Sequence, residues 1–147
     1  MIYTVTLNPA LDKTVEIPGM ALDTVNRITE MRTDPGGKGI NVSKVIAKLG
    51  GESRAVGILG GESGKMLEKL LEGEPFATRF RFVEGQTRTN IKIIDREGHT
   101  NTDINEPGLT VTDADLDALL HDLLAEVHAG DIVVLAGSLP KGAPQDT

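Results

Sequence analysis

Two short stretches carry side chains able to do chemistry. In DPGGKGIN, residues 34–41, glycines crowd around Lys38 where a helical pattern begins. Backbone N–H groups at a helix start lack intrahelical partners and carry partial positive charge, so bare glycines let an anion or a sugar oxygen approach. Gly37, Lys38 and Gly39, with Asn41 one turn into the helix, could therefore hold a phosphorylated or hydroxylated ligand. A tight strand-to-helix turn needing positive φ is the competing reading of the same residues. In TRTNIKIID, residues 87–95, strand alternation puts Arg88, Asn90 and Lys92 on one face and Thr89, Ile91 and Ile93 on the other. Two cations and an amide on one face suit either a phosphate clamp or a solvated surface.

Other polar residues divide in the same way. Asp12 could accept hydrogen bonds from sugar hydroxyls or cap a turn, and Arg27 by itself is an ordinary surface cation. Gly137-Ser138 lies beyond the carboxyl end of a strand, where open α/β sheets bind ligands. GGESGKM fails as a phosphate-binding P-loop: Leu59 stands where its first glycine belongs, and Met66 replaces the metal-binding hydroxyl. His99, His121 and His128 lack the spacing of metal ligands.

The elements that must position these residues follow from periodicity. Ile2 to Leu7 is a β-rich run ended by Asn8-Pro9, while KTVEI and NRITEMRT alternate like strands with one wet face. From Ile40 to Leu49, Val42, Val45, Ile46 and Leu49 recur at helical spacing before Gly50-Gly51. SRAVGILGG is expected to be a buried strand. SGKMLEKLLEGE is expected to be an amphipathic helix capped by Ser63 and closed near Gly73. Strand and helix alternate, which predicts a parallel sheet with crossover helices. TRTNIKIID and HTNTDIN form a hairpin through Arg96-Glu97-Gly98. Together with the earlier alternating pieces it should build one small sheet set over the larger.

In TVTDADLDALLHDLLAEVHAG, Thr112 is the cap and Asp113 and Asp115 favour the positive end of the dipole. Leu116, Leu119, Leu120, Leu123, Leu124 and Val127 form its apolar face. DIVVLAG is expected to be a buried strand followed by the loop SLPKGAP, and APQDT looks like the approach to a further helix.

Composition narrows the partners. The chain has 147 residues, 39% of them apolar, the usual size of one globular domain. Three Phe and one Tyr leave little for base stacking, and 22 Asp and Glu against 15 Lys and Arg disfavour a polyanion, so no nucleic-acid partner is expected. Without cysteine there is no disulfide framework, thiolate metal site or cysteine nucleophile. No leader pattern and no 18-residue apolar run is present, so a soluble cytoplasmic protein without a membrane partner is expected.

Five motifs together then resemble one family. TLNPALD (6–12), GGKGINVSKVIAKLG (36–50) with Gly60 ten residues on, TRTNIKI (87–93), INEPG (104–108) and AGSLPKG (136–142) look like the N-terminal half of a ribokinase-like sugar kinase. NPALD and TRTNIKI with GHTNTDIN resemble its branch of 1-phosphofructokinases and tagatose-6-phosphate kinases, the former more closely. The resemblance implies a mainly parallel α/β core flanked by helices under a small β-sheet lid, with lid segments at about 12–34 and 87–105. It implies transfer of phosphate from ATP with Mg²⁺ to a ketohexose phosphate, fructose 1-phosphate becoming fructose 1,6-bisphosphate. Tagatose-6-phosphate or fructose-6-phosphate kinase activity is the alternative.

By position, Asp12 would hold sugar hydroxyls, and Gly37, Lys38, Gly39 and Asn41 would line the sugar cradle. Arg27, Arg88 and Lys92 would come from the lid to the substrate phosphate, with Ser138 at the base. The lid is also expected to serve a homodimer. The family's glycine-rich loop with the catalytic aspartate base has no counterpart here, nor does its ATP pocket. The 147 residues are thus expected to be a sugar-phosphate half-site, inactive alone, within a longer kinase. A non-catalytic sugar-phosphate-binding protein is the reading of another class.

Overall fold

The computed structural model describes residues 1–145. In chain order its elements are β1 (Ile2–Thr6), β2 (Ala10–Glu16), β3 (Glu30–Gly36), α1 (Lys38–Lys48), β4 (Ser53–Gly60), α2 (Gly61–Leu70), β5 (Ala77–Val83), β6 (Arg88–Asp95), β7 (Thr100–Asn105), α3 (Asp113–Leu124) and β8 (Ile132–Leu135). They form an α/β fold with two sheets. The larger has the order β5-β4-β1-β8, parallel throughout. The smaller, β3-β2-β6-β7, is mixed: two antiparallel hairpins, β2–β3 and β6–β7, join through a parallel β2–β6 pairing.

Alternation along β1 and β4 assigns the layers. Tyr3, Val5, Val56 and Ile58 meet Leu119 and Leu123 of α3 on one face. Ala55 and Leu59 meet Ile40 of α1 and Leu67 of α2 on the other. Each large aliphatic buried this way contributes about 1.5–3 kcal/mol. Because β4 is covered on both faces, SRAVGILG is a nearly unbroken apolar run. Its seam with α1 is polar but satisfied: Thr4 Oγ1 lies 2.7 Å from Ser43 Oγ, which also accepts from Ser53 Oγ at 3.0 Å.

Asp95 ties the smaller sheet together. Its buried carboxylate accepts the amides of Gly98, Gly19, Met20 and Glu97, which hold its pKa below the usual aspartate range despite burial.

The structure corrects five expectations. First, α1 buries Gly39, Ile40 and Ser43, while Val45 and Leu49 on the anticipated apolar spacing are exposed. Second, Ser63 does not cap α2; the helix begins at Gly61, and the Ser63 hydroxyl donates to the Thr87 carbonyl at 2.7 Å. Third, Thr112 and Asp115 form the capping box of α3, but Leu120 and Leu124 face solvent. Fourth, β8 is an edge strand, so Ile132, Val133 and Leu135 are exposed rather than buried. Fifth, ATRFRFV forms β5, a strand the sequence reading left out. Of APQDT, the last two residues lie outside the described residues. No helix among the described residues is long and apolar enough to cross a membrane.

Candidate functional site

The site forms where β1 and β8 end and β6 begins. Asn8, 6% exposed in the turn after β1, donates its side-chain amide to the Pro107 carbonyl (3.2 Å), the Leu139 carbonyl (3.4 Å) and Ser138 Oγ (3.5 Å). One amide thereby holds two loops from the far half of the chain. The backbone carbonyl of the same residue accepts Arg88 Nη2 at 2.9 Å, and Arg88 also reaches Ser138 Oγ and the Glu106 carbonyl, each at 3.4 Å. Arg88 has no carboxylate partner among the described residues, and its Nε is buried without an acceptor. A guanidinium resting on neutral oxygens keeps its charge for a further anion.

The start of α1 lies beside the Gly137-Ser138 turn that Arg88 reaches. Here the glycines serve close packing more than the sequence suggested. A Cβ on Gly36 would sit 2.0 Å from Asp12 Oδ2, so the missing side chain makes room for that carboxylate. A Cβ on Gly39 would fall 2.5 Å from Thr6 Oγ1, because the helix leans directly on β1. Gly37 occupies the N-cap at φ 138 with no side-chain cap, a conformation that L residues rarely adopt. The Ile40 amide is already taken by Thr6 Oγ1 at 3.2 Å. The Lys38 and Gly39 amides have no hydrogen-bond partner among the described residues, so two donors of the run stay open. Lys38 is exposed, and its Cβ lies 3.9 Å from where a Cβ on Gly137 would be, which puts it beside Gly137-Ser138.

Asp12 belongs to the smaller sheet: on β2 it pairs in register with Asp34 of β3 and Asn90 of β6. Asn90 Nδ2 donates to Asp12 Oδ1 at 3.1 Å. A polar cavity of about 350 Å³ opens there, lined among others by Asp12, Asn41, Lys44, Asn90, Lys92 and Asp103. Lys92 is exposed, with no hydrogen bond or ion pair among the described residues. It lies four residues beyond Arg88, roughly 13 Å along the strand.

Of the predicted residues, then, Arg88, Ser138, Gly37, Lys38 and Gly39 converge, and Asp12, Asn41 and Lys92 line the adjoining cavity. Arg27 does not join them. It is exposed in the β2–β3 loop, at the end of that hairpin away from Asp12. Sequence reasoning missed Asn8 as the organiser, although an Asn-Pro turn straight after a buried strand was a usable signal. Asn90, which strand alternation puts on the face shared with Arg88 and Lys92, is the neighbour of Asp12.

The second glycine cluster does not open a further site: Gln86 Oε1 accepts the Ser63 amide, and a Cβ on Gly61 would collide with the Gln86 side chain. Among the described residues no group of three or more His, Cys, Asp or Glu side chains could hold a metal ion.

The family model for pfkB carbohydrate kinases matches residues 5–147. The chain belongs to the pfkB family. Among members of that family, the 1-phosphofructokinase of Bacillus subtilis is 41% identical over all 147 residues, which cover 47% of its length. The 1-phosphofructokinase of Xanthomonas campestris is 40% identical over 98% of this chain and 45% of its own. Phosphofructokinase-2 from Escherichia coli, solved in complex with fructose-6-phosphate, superposes with a TM-score of 0.92 at 32% identity, over 99% of this chain and 48% of that one. The tetrameric inhibited form of the same enzyme gives 0.89 at 33% identity, over 97% and 47%. The fold is therefore ribokinase-like, and the chain spans about half the length of the pfkB relatives it matches.

Proposed function

We propose that this chain carries the sugar-phosphate half-site of a kinase that uses ATP to convert fructose 1-phosphate to fructose 1,6-bisphosphate. The observation that carries the reading is Arg88, an arginine without a carboxylate partner among the described residues, held on Asn8 and Ser138 at the carboxyl ends of two parallel strands. A phosphate seated there would meet the guanidinium, the Ser138 hydroxyl, Lys38 and the open Lys38 and Gly39 amides. Its sugar would extend toward Asp12 and Asn41. Phosphoryl transfer consists mostly of positioning and charge neutralisation, and these groups supply both on the acceptor side.

The described residues do not fit the other substrate. Beyond the glycine run already given to the sugar phosphate, they contain neither a second open glycine-rich loop, since Gln86 fills the one at Gly61, nor a group of three or more His, Cys, Asp or Glu side chains able to hold a metal ion. ATP, Mg²⁺ and the catalytic base are accordingly assigned to the remainder of the parent polypeptide. An apolar trough of about 560 Å³ between α3 and β8, with Leu120, Leu135 and Leu139 in its wall, is in this reading the seat of that remainder. Lys92 and Arg27 keep supporting parts. Lys92 would act from the cavity wall, and Arg27 could serve a phosphate only in a homodimer that brings a second lid over the site.

Fructose-6-phosphate kinase activity is the second reading, favoured by the close superposition on phosphofructokinase-2 in its fructose-6-phosphate complex. A coupled assay on the longest polypeptide of the reading frame, with ATP and each of fructose 1-phosphate, fructose 6-phosphate and tagatose 6-phosphate, decides between them. The expected result is fastest turnover of fructose 1-phosphate. Turnover of none of the three would refute the kinase reading, and turnover by residues 1–147 alone would refute the half-site assignment.

A further inference from the structure

Asn90 stands mid-strand between Arg88 and Lys92, a place where asparagine is a poor β-former. The register aligns it in a row of four polar residues across the smaller sheet, Asp34, Asp12, Asn90 and Asn105. Among the described residues its side chain makes one hydrogen bond, from Nδ2 to Asp12 Oδ1 at 3.1 Å, while its own Oδ1 is buried with no partner. A buried carbonyl left unpaired is destabilising, and an aliphatic side chain of similar shape would suit the sheet better. Stability therefore does not account for this amide.

What the amide does is grip Asp12. One carboxylate oxygen is held from β6 by Asn90, and the other lies in the space that Gly36 leaves on β3, 2.0 Å from where a Cβ would be. Gripped from both neighbouring strands, the carboxylate has a fixed direction along the wall of the polar cavity. We propose that Asn90 is a positioning residue that fixes Asp12 to accept a hydroxyl of the bound sugar phosphate. The proposal rests on the reading of Asp12 given above. The charged side chains that line the cavity with the pair are Lys13 on β2, Arg32 and Asp34 on β3, Lys92 on β6, Asp103 on β7 and Lys44 on α1; Arg88 stands two residues before Asn90 on β6.

Two variants of the longest polypeptide of the reading frame test it, with fructose 1-phosphate and fructose 6-phosphate as probes in calorimetry from pH 5 to 8. Asn90→Leu removes the donor and the unpaired carbonyl together. Its melting temperature should equal or exceed that of the wild type while affinity falls roughly tenfold or more at every pH. Asn90→Asp places two carboxylates side by side. At pH 8 both are ionised and repel, so affinity relative to wild type should be lowest there. It should recover as the pH falls and a shared proton restores the donor. Wild-type affinity in Asn90→Leu, or a flat ratio of Asn90→Asp to wild type across the range, would overturn the proposal.

If the wild type binds neither probe, the sugar-phosphate reading fails by itself. Crystal structures of wild type and Asn90→Leu then decide the positioning claim: a displaced or multiply placed Asp12 carboxylate supports it, and an unmoved one overturns it.

Discussion

Arginines occupy two regions of this molecule in opposite ways. On the β4–β5 flank, Arg54 and Arg79 pair with Glu126, Arg79 lies 3.7 Å from Asp122, and Arg81 is 3.0 Å from Asp122, both acids belonging to α3 or its last turn. At the mouth of the sheets, the hydrogen-bond partners of Arg88 among the described residues are carbonyl and hydroxyl oxygens. The flank neutralises itself and so joins a helix to an edge strand. The mouth holds a cation in place without cancelling it. Orientation without neutralisation is what a site for a small anion requires, and it separates a ligand-directed arginine from a structural one more sharply than exposure does.

The contrast breaks most visibly at the mouth. Gly36→Ala puts a methyl group on the Asp12 carboxylate, and affinity for a sugar phosphate should fall by roughly 100-fold, the loss of one charged hydrogen bond plus strain. Calorimetry on the purified variant measures it. At the flank, Glu126→Ala leaves Arg54 and Arg79 short of a partner. Denaturant titration should show a loss of about 1–2 kcal/mol with sugar-phosphate affinity unchanged.

A smaller effect separates pH from packing. Because its pKa is depressed by four amides, Asp95 contributes stability in full above the usual aspartate range, and that contribution disappears as the pH falls through the native value. Melting curves from pH 5 to 3 should therefore fall more steeply for wild type than for Asp95→Asn; Glu16, Asp115 and Asp131, depressed in the same direction, act equally on both proteins. Least of all, Arg32→Ala, which removes an exposed pair with Asp34, should change stability by no more than about 0.5 kcal/mol.

Much of this was legible beforehand, for identifiable reasons. Alternation in TRTNIKIID and the helical period in TVTDADLDALL reflect burial on one side, so the hairpin β6–β7 and the helix α3 stood out. The strand ATRFRFV did not, because its charged positions are matched by acids on α3 and in the turn that follows it, distant in sequence. The open face of β8 was misread as buried because IVVL has the composition of a covered strand whether or not anything covers it. At the site, the residue types were readable and the partnerships were not. Gly36 serves Asp12 and Gly39 serves Thr6, contacts fixed only when β2 and β3 lie side by side and α1 rests on β1. Arg27 entered through resemblance alone, and the fold leaves it at the far end of the hairpin.

The most direct test compares the binding of fructose 1-phosphate and of fructose by the wild type and by Arg88→Ala in the longest polypeptide of the reading frame. An uncancelled guanidinium at the phosphate predicts a loss of roughly 30-fold or more for the phosphorylated sugar and little change for fructose. Equal losses for both sugars would remove Arg88 from the phosphate and contradict the account.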